Sequence, residues 1–152
     1  MSLKKGDALP DIQLPNQDRE FVSLRQFIGK NVVVYFYPKD FTPGCTKEAC
    51  SFRDNYNIIQ NELDAEVIGI SADSPEQHKK FAGSYNLEYT LLSDENKKAE
   101  QAFKVKRNLF GLLPGRETFV FDKMGKMIGS FNSALDATRH VSEAIKLLKE
   151  NS

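Results

Sequence analysis

Cysteine is scarce: the 152-residue sequence has only Cys45 and Cys50, too few for a disulfide scaffold and not arranged as Cys-x-x-Cys. Its two histidines, His78 and His140, fall in separate helical patterns without the spacing of zinc ligands, which argues against a metal site. Neither sign of charge is in excess. Lys plus Arg and Asp plus Glu each number 21, so no basic surplus exists to neutralise phosphates, and nucleic acid is not an expected partner. Long apolar runs are missing too: the longest, Val32 to Tyr37, is far short of the roughly 20 residues of a membrane-spanning helix, so no membrane partner is expected. Met1 to Asp7 has basic residues but no apolar core behind them, and without a visible leader or lipid anchor the expected location is cytoplasmic. Internal repeats, low-complexity tracts and Gly/Ser-rich linkers are absent, which leaves a single domain over residues 1–152 as the expectation.

What is present is a globular composition, 40% hydrophobic and 28% charged, in a chain long enough to bury a core without staples. Asp11 to Leu24 alternates apolar and polar residues around Asn16-Gln17-Asp18-Arg19, which predicts a hairpin. Val32 to Tyr37, ended by Pro38, is β-branched and aromatic throughout, as a central strand covered on both faces requires. A helical pattern then runs from Thr46 to Asn61, followed by a strand over Glu66 to Ser71, a helix opening at Ser74-Pro75-Glu76-Gln77, and a short strand around Thr90 to Leu92. Asp94 can cap a short helix through Phe103, and Glu117 to Asp122 and Met127 to Phe131 flank a turn at Lys123 to Lys126. Asp136 is available as N-cap of a last helix carrying Ala137, Val141, Ala144, Ile145 and Leu148 on one face. This order predicts an α/β, thioredoxin-like fold with a central mixed β-sheet flanked by helices and an N-terminal β-hairpin.

The stretch Pro38-Lys39-Asp40-Phe41-Thr42-Pro43-Gly44-Cys45 puts a thiol where a strand hands over to a helix. The thiolate is the reactive form of cysteine, and a first helical turn favours an anion through unpaired N–H groups and the positive end of the dipole. Gly44 removes bulk beside the sulfur and Pro43 fixes the backbone, so together they can shape a narrow pocket. Thr42 can present a hydroxyl that both donates and accepts, which suits the two oxygens of a hydroperoxide. Taken alone, Thr-x-x-Cys reads more readily as a helix cap beside a small buried hydrophobe, by about two to one. Cys50 alone is as readily a core residue as a reactive one. On a regular helix the rise separates the two cysteines by roughly 7.5 Å, beyond the Cα separation of about 7 Å that most disulfides tolerate, so a bond between them would need the first turns to unwind. Arg116, placed beside Cys45, would stabilise the thiolate and the charge developing on a departing peroxide oxygen, although its spacing alone favours a surface arginine about fourfold. Leu112 and Leu113, between Gly111 and Gly115, read as an apolar partner contact or a tucked-in turn, of which the turn is favoured.

Over Tyr35 to Cys50 the sequence resembles the peroxiredoxins, most closely the peroxiredoxin Q or bacterioferritin comigratory protein subgroup, through a Pro-x-x-x-Thr-x-x-Cys loop with a second cysteine nearby. Gly69 to Ser74, His78 to Phe81, Leu91 to Asp94 and Arg116 to Asp122 continue that family's order. The resemblance implies a peroxidase acting on hydrogen peroxide and organic hydroperoxides, with Cys45 the peroxidatic cysteine, Cys50 the resolving one, Thr42 the hydroxyl residue, Arg116 the active-site arginine and Pro38 a shield over the pocket. It further implies a Cys45 sulfenic acid, an intramolecular Cys45–Cys50 disulfide, a thioredoxin-like or glutaredoxin-like reductant, a monomer, and no metal, flavin or haem. Two features depart from the family pattern: Phe41, where a polar residue is common, and the Gly- and Leu-rich loop before Arg116. Two other readings fit the same fold. One is a thiol–disulfide oxidoreductase, against which the missing Cys-x-x-Cys argues, and the other is a redox-sensing or binding module without efficient turnover.

Overall fold

In the computed structural model, which describes residues 3–107 and 115–151, the elements follow one another as β1 (Gln13–Pro15), β2 (Phe21–Ser23), β3 (Asn31–Phe36), α1 (Pro43–Asp54), β4 (Ala65–Ser71), α2 (Pro75–Tyr85), β5 (Thr90–Ser93), α3 (Lys98–Ala102), β6 (Glu117–Phe121), β7 (Met127–Asn132) and α4 (Ala137–Glu150). The expected turn with Leu112 and Leu113 lies outside the described residues. A five-stranded sheet has the order β5-β4-β3-β6-β7, parallel among β3, β4 and β5 and antiparallel through β6 and β7. It is the mixed, thioredoxin-like sheet that the βαβ order and hairpin imply, and β1 and β2 pair antiparallel as the expected N-terminal hairpin.

The two-residue period of β3 divides the interior. Val33 and Tyr35, with Tyr37 just beyond, face a core shared with α1, α2 and α4. Val32, Val34 and Phe36 face a second core, filled by Leu14 and Val22 of the hairpin, Leu24, and Ala99 and Phe103 at α3. A strand buried on both faces reads as a continuous apolar run, and for that reason Val32 to Tyr37 shows no alternation. Among the described residues no helix is long and apolar enough to cross a membrane.

Topology places the chemistry. Both parallel crossovers start from the C-terminal ends of β3 and β4, so the loop 37–42 and the start of α1 lie at that edge. Because β6 runs antiparallel to β3, its first residue, Glu117, pairs with Phe36, the last residue of β3. Arg116 therefore arrives at the loop that carries Cys45, although 71 residues separate them in sequence.

Two local expectations are corrected. The helical pattern from Thr46 to Asn61 is broken at Asn55, whose side-chain amide and backbone N–H both donate to Ser51 C=O, and a separate π-helical turn follows at Ile58–Glu62. Local side-chain competition for a backbone acceptor is the usual reason asparagine ends a helix. Asp136 does occupy the N-cap position of α4, but it makes no capping bond; its carboxylate instead accepts from Ser133 Oγ–H and lies 3.7 Å from Arg139 Nη1. Asp94 caps as expected, though from outside the helix, accepting the N–H groups of Ala99 (2.8 Å) and Glu100 (2.9 Å).

Candidate active site

Helix α1 turns Cys45, Glu48, Ala49 and Phe52 inward, the i, i+3, i+4, i+7 stripe of a helix docked on a sheet. Beneath it, Phe52 stacks on Tyr35 with ring centroids 4.5 Å apart, and the Tyr89 hydroxyl donates to Ala49 C=O at 3.0 Å while meeting the Tyr35 hydroxyl at 2.7 Å. Gly69 on β4 makes room for this layer: a Cβ there would stand 2.8 Å from Tyr35 Cζ. The position of the thiol is thus set by a buried aromatic layer.

Pro43 is the first helical residue and Cys45 the third, and the first intrahelical bond runs from Thr46 N–H to Thr42 C=O at 2.8 Å. The N–H groups of Gly44 and Cys45 precede that ladder, as at any helix N-terminus, and can face an anion. Thr42 sits at the N-cap without a side-chain capping bond; its hydroxyl donates to Lys39 C=O at 2.7 Å, so its oxygen is left as an acceptor. Reading Thr42 as a simple helix cap therefore fails. Pro38 stands half-buried where the chain leaves β3, and Cys45 is buried.

Arg116 is no surface arginine. It is 6% exposed and forks: Nη2–H donates to Cys45 Sγ at 3.3 Å, and Nη1–H to Glu48 Oε1 at 2.6 Å. Gly44 admits the guanidinium, since a Cβ at that position would lie 3.2 Å from Nη2. Burial pulls Arg116 toward losing its charge, but Glu48 and then Cys45 outweigh it, and the group is held above its ordinary range. Burial pushes the Glu48 carboxyl up to about 8, with the attraction of Arg116 working the other way. An arginine stays cationic at any ordinary pH, so Glu48 is the member of this pair that changes charge near neutrality.

Behind Glu48 lies His140, whose Nδ1 is 3.6 Å from Glu48 Oε2. Nε2–H donates to Ser133 C=O at 2.8 Å, which places a hydrogen on Nε2, and Nδ1 lies 2.7 Å from Thr118 Oγ1, whose hydroxyl can donate to it when the ring is neutral. Burial lowers His140 to about 4, in accord with a neutral ring. The guanidinium is thus the fixed positive charge beside the sulfur.

Cys50 also lies on α1, half-buried, within electrostatic reach of Arg53 and Tyr89, and both cysteines are free thiols. Five residues turn a helix through about 500°, so the two sulfurs leave α1 on different sides as well as at different heights. The site thus brings Cys45, Thr42 and Arg116 to one edge and leaves Cys50 apart. Sequence reasoning missed Glu48 and His140. Glu48 left one signal: an acid in an otherwise apolar stripe, three residues beyond Cys45.

The loop before α1 has a polar anchor of its own. Asp40 accepts from the Tyr37 hydroxyl (2.5 Å), lies 2.6 Å from His78 Nδ1, and donates its backbone N–H to Asp73 Oδ2 (2.8 Å); His78 Nε2–H donates to Leu92 C=O (3.0 Å). Two acids and a histidine therefore meet here, bonded to one another and to Tyr37, Ser71 and Leu92 C=O. Next in the chain, Phe41 has φ 68°, a left-handed conformation that costs a non-glycine residue about 1–2 kcal/mol.

Residues 5–130 match the family described as AhpC/TSA. The chain is 49% identical over 147 residues to the chloroplastic peroxiredoxin Q of Populus jackii, an alignment that covers 97% of this chain and 68% of that one. Among solved structures, peroxidoxin BcpB from Mycobacterium tuberculosis superposes with TM-score 0.90 at 37% identity, covering 99% of each chain. A bacterioferritin comigratory protein from Xanthomonas campestris, described for its alkyl peroxide reduction activity, superposes with TM-score 0.84 at 26% identity, covering 96% of this chain and 100% of its own. These likenesses correct one expectation. Plant relatives at this level of identity are named chloroplastic, and that finding overturns the cytoplasmic reading. The residues that build a fold carry no address of their own, so composition is a poor guide to compartment.

Proposed function

This chain belongs to the AhpC/TSA family, and from that premise we propose that it is a thiol peroxidase in which Cys45 attacks hydroperoxides and Cys50 resolves the oxidised sulfur. The observation that carries the reading is the 3.3 Å hydrogen bond from Arg116 Nη2–H to Cys45 Sγ at a buried helix N-terminus. A permanent cation at that position stabilises an anionic sulfur in the resting protein and negative charge on oxygen during reaction.

The Cys45 thiolate attacks the terminal oxygen of the hydroperoxide. The S–O bond forms as the O–O bond breaks, the departing oxygen takes a proton to become water or an alcohol, and Cys45 is left as a sulfenic acid. Thr42, its own hydrogen donated to Lys39 C=O, accepts the hydroperoxide O–H and fixes which oxygen meets the sulfur. Arg116 and the N–H groups of Gly44 and Cys45 stabilise the charge that gathers as the O–O bond lengthens. Pro38, half-buried where the chain leaves β3, takes the part of the pocket's shield that the family resemblance implies. The narrow approach admits the head group of hydrogen peroxide or of an organic hydroperoxide, a substrate class supported by the alkyl peroxide activity described for the Xanthomonas relative.

The Cys50 thiol then condenses with the sulfenic acid, releasing water and forming the Cys45–Cys50 disulfide, a step that requires α1 to open its first turns. A thioredoxin-like or glutaredoxin-like dithiol reduces the disulfide by exchange, so every electron passes through sulfur and no metal, flavin or haem enters the cycle. The family resemblance favours a monomeric enzyme, and the absence of a linker or repeat in the sequence favours one domain over residues 1–152.

The test is to mix reduced protein with one equivalent of hydrogen peroxide, quench within seconds by alkylation, and map the peptides. The expected product has lost two hydrogens and carries a Cys45–Cys50 link. Cys45→Ser abolishes turnover, whereas Cys50→Ser still consumes one peroxide and stops at the sulfenic acid. Wild-type protein with both thiols still alkylatable would falsify the proposal.

A further inference from the structure

His78, Phe81 and Tyr85 recur along α2 at i, i+3 and i+7, so they present one face. Two consecutive residues of the loop that leads to Cys45 engage that face, and they do so by different chemistry. Asp40 meets His78 through its carboxylate, with Tyr37 and Asp73 completing its partners. Phe41 lies edge-on to Phe81, ring centroids 5.0 Å apart, and tilted against Tyr85 at 6.2 Å.

We infer that this face of α2 is a clasp, with Asp40 and Phe41 as positioning residues that hold Cys45 in its attacking place and set how readily α1 unwinds toward Cys50. The inference rests on the reading of Cys45 and Cys50 as a reactive pair. Its two halves differ in how easily they release. Both carboxylate oxygens and the backbone N–H of Asp40, and both ring nitrogens of His78, are occupied inside the protein, so withdrawing Asp40 would leave several buried polar groups unpaired. Phe41 is 42% exposed and sits at φ 68°, so its release uncovers little apolar surface and relieves a strained backbone. The hinge therefore falls between residues 40 and 41: the loop through Asp40 stays on α2, and opening begins at Phe41.

A chemical consequence follows from the two fates of the sulfenic acid. In the unwound state it condenses with the Cys50 thiol, losing water and forming the disulfide. While α1 stays folded, its sulfur is exposed to a second hydroperoxide, which transfers one oxygen to give the sulfinic acid and leaves as water or an alcohol. A tighter clasp lengthens the folded interval and favours the sulfinic product; a looser one favours the disulfide.

Phe41→Ala removes the aromatic contacts, Phe41→Tyr restores them, and the partial exposure of the site makes both compatible with folding. Amide exchange is read by mass spectrometry on the reduced full chain, and the ratio of sulfinic acid to disulfide by intact mass after excess hydrogen peroxide. In Phe41→Ala, exchange over residues 42–50 should rise about two- to tenfold while β3 and β6 hold, and the sulfinic fraction should fall. Phe41→Tyr should match the wild type in both readouts. In Asp40→Asn the region of fast exchange should extend back to Tyr37. Unchanged exchange over 42–50 in Phe41→Ala, or a rise shared equally by the sheet, overturns the clasp whether or not the Asp40 variant folds. If wild-type protein forms no disulfide with peroxide, the reactive-pair reading fails by itself, and the exchange data still decide whether α2 holds the loop.

Discussion

Replacing Glu48 by Gln should change how stability depends on pH, and the size and sign of the change follow from two buried groups. Burial raises Glu48 to about 8 from an ordinary 4.5, so between those values the folded protein keeps a proton that the unfolded chain has released. Stability from this group is fully present below about 4.5 and is lost as pH climbs through 8. His140, lowered by burial from 6.5 to about 4, does the opposite: its contribution is present above 6.5 and is lost as pH falls toward 4. The slopes oppose each other between 4.5 and 6.5, and above 6.5 only that of Glu48 remains. One pH unit on one proton is worth about 1.4 kcal/mol, so the wild-type protein should lose up to about 2 kcal/mol between pH 6.5 and 8 through Glu48. Gln keeps the size and an oxygen to accept from Arg116 but cannot titrate, so its stability curve should lack that decline. Urea unfolding of both reduced proteins, in half-unit steps across this window, gives the difference directly and cancels groups common to both. Parallel curves would show that Glu48 does not hold a proton in the folded state, and the account of the Arg116 site would have to be redrawn.

Three further outcomes are expected. Arg116→Ala should slow oxidation of Cys45 on the order of a hundredfold, measured by stopped-flow under single-turnover conditions; an unchanged rate removes Arg116 from the reaction. Gly44→Ala should slow the same step by about tenfold or more, because the added methyl would stand 3.2 Å from Arg116 Nη2 and displace the guanidinium from the sulfur, and a wild-type rate would mean that the arginine can settle elsewhere without loss. Gly69→Ala should cost about 1–3 kcal/mol in denaturant unfolding, since the new Cβ meets Tyr35 and Leu91 inside 3 Å; no loss would mean that the tyrosine layer yields freely.

The sheet was legible because its pattern is strong. A run such as Val32 to Tyr37 has few alternatives to a doubly buried strand, and Pro75 after Ser74 marks a helix start with a capping side chain that the structure also uses, Ser74 Oγ accepting from Gln77 N–H. Arg116 could be named only through family likeness, because a lone arginine before a strand has no local signature; its neighbour across the sheet is fixed by the antiparallel pairing of β6 with β3. The same reason hid the partnership of Asp40 with His78, 38 residues apart, and of Glu48 with His140. Local competition was harder still to read: Asn55 and Asp136 both find nearby partners that a periodicity argument does not weigh.

In the proposed cycle the first turn of α1 must both hold an anionic sulfur and come apart, so it cannot draw its order from its own ladder. The first turn of α1 is intrinsically weak: Thr42 supplies no capping bond, Pro43 brings no N–H, and Gly44 is a poor helix former. Its order is borrowed from outside, from the Arg116 fork on one side and from the loop that ends on α2 on the other. Stability of this kind is local. The turn can be released while Ala49 and Phe52 stay packed on Tyr35 and Tyr89, so opening toward Cys50 need not unfold the sheet. A stronger helix start, with a capping side chain and alanine in place of glycine, would hinder both tasks at once: its methyl would crowd Arg116, and its ladder would oppose the unwinding that the disulfide requires.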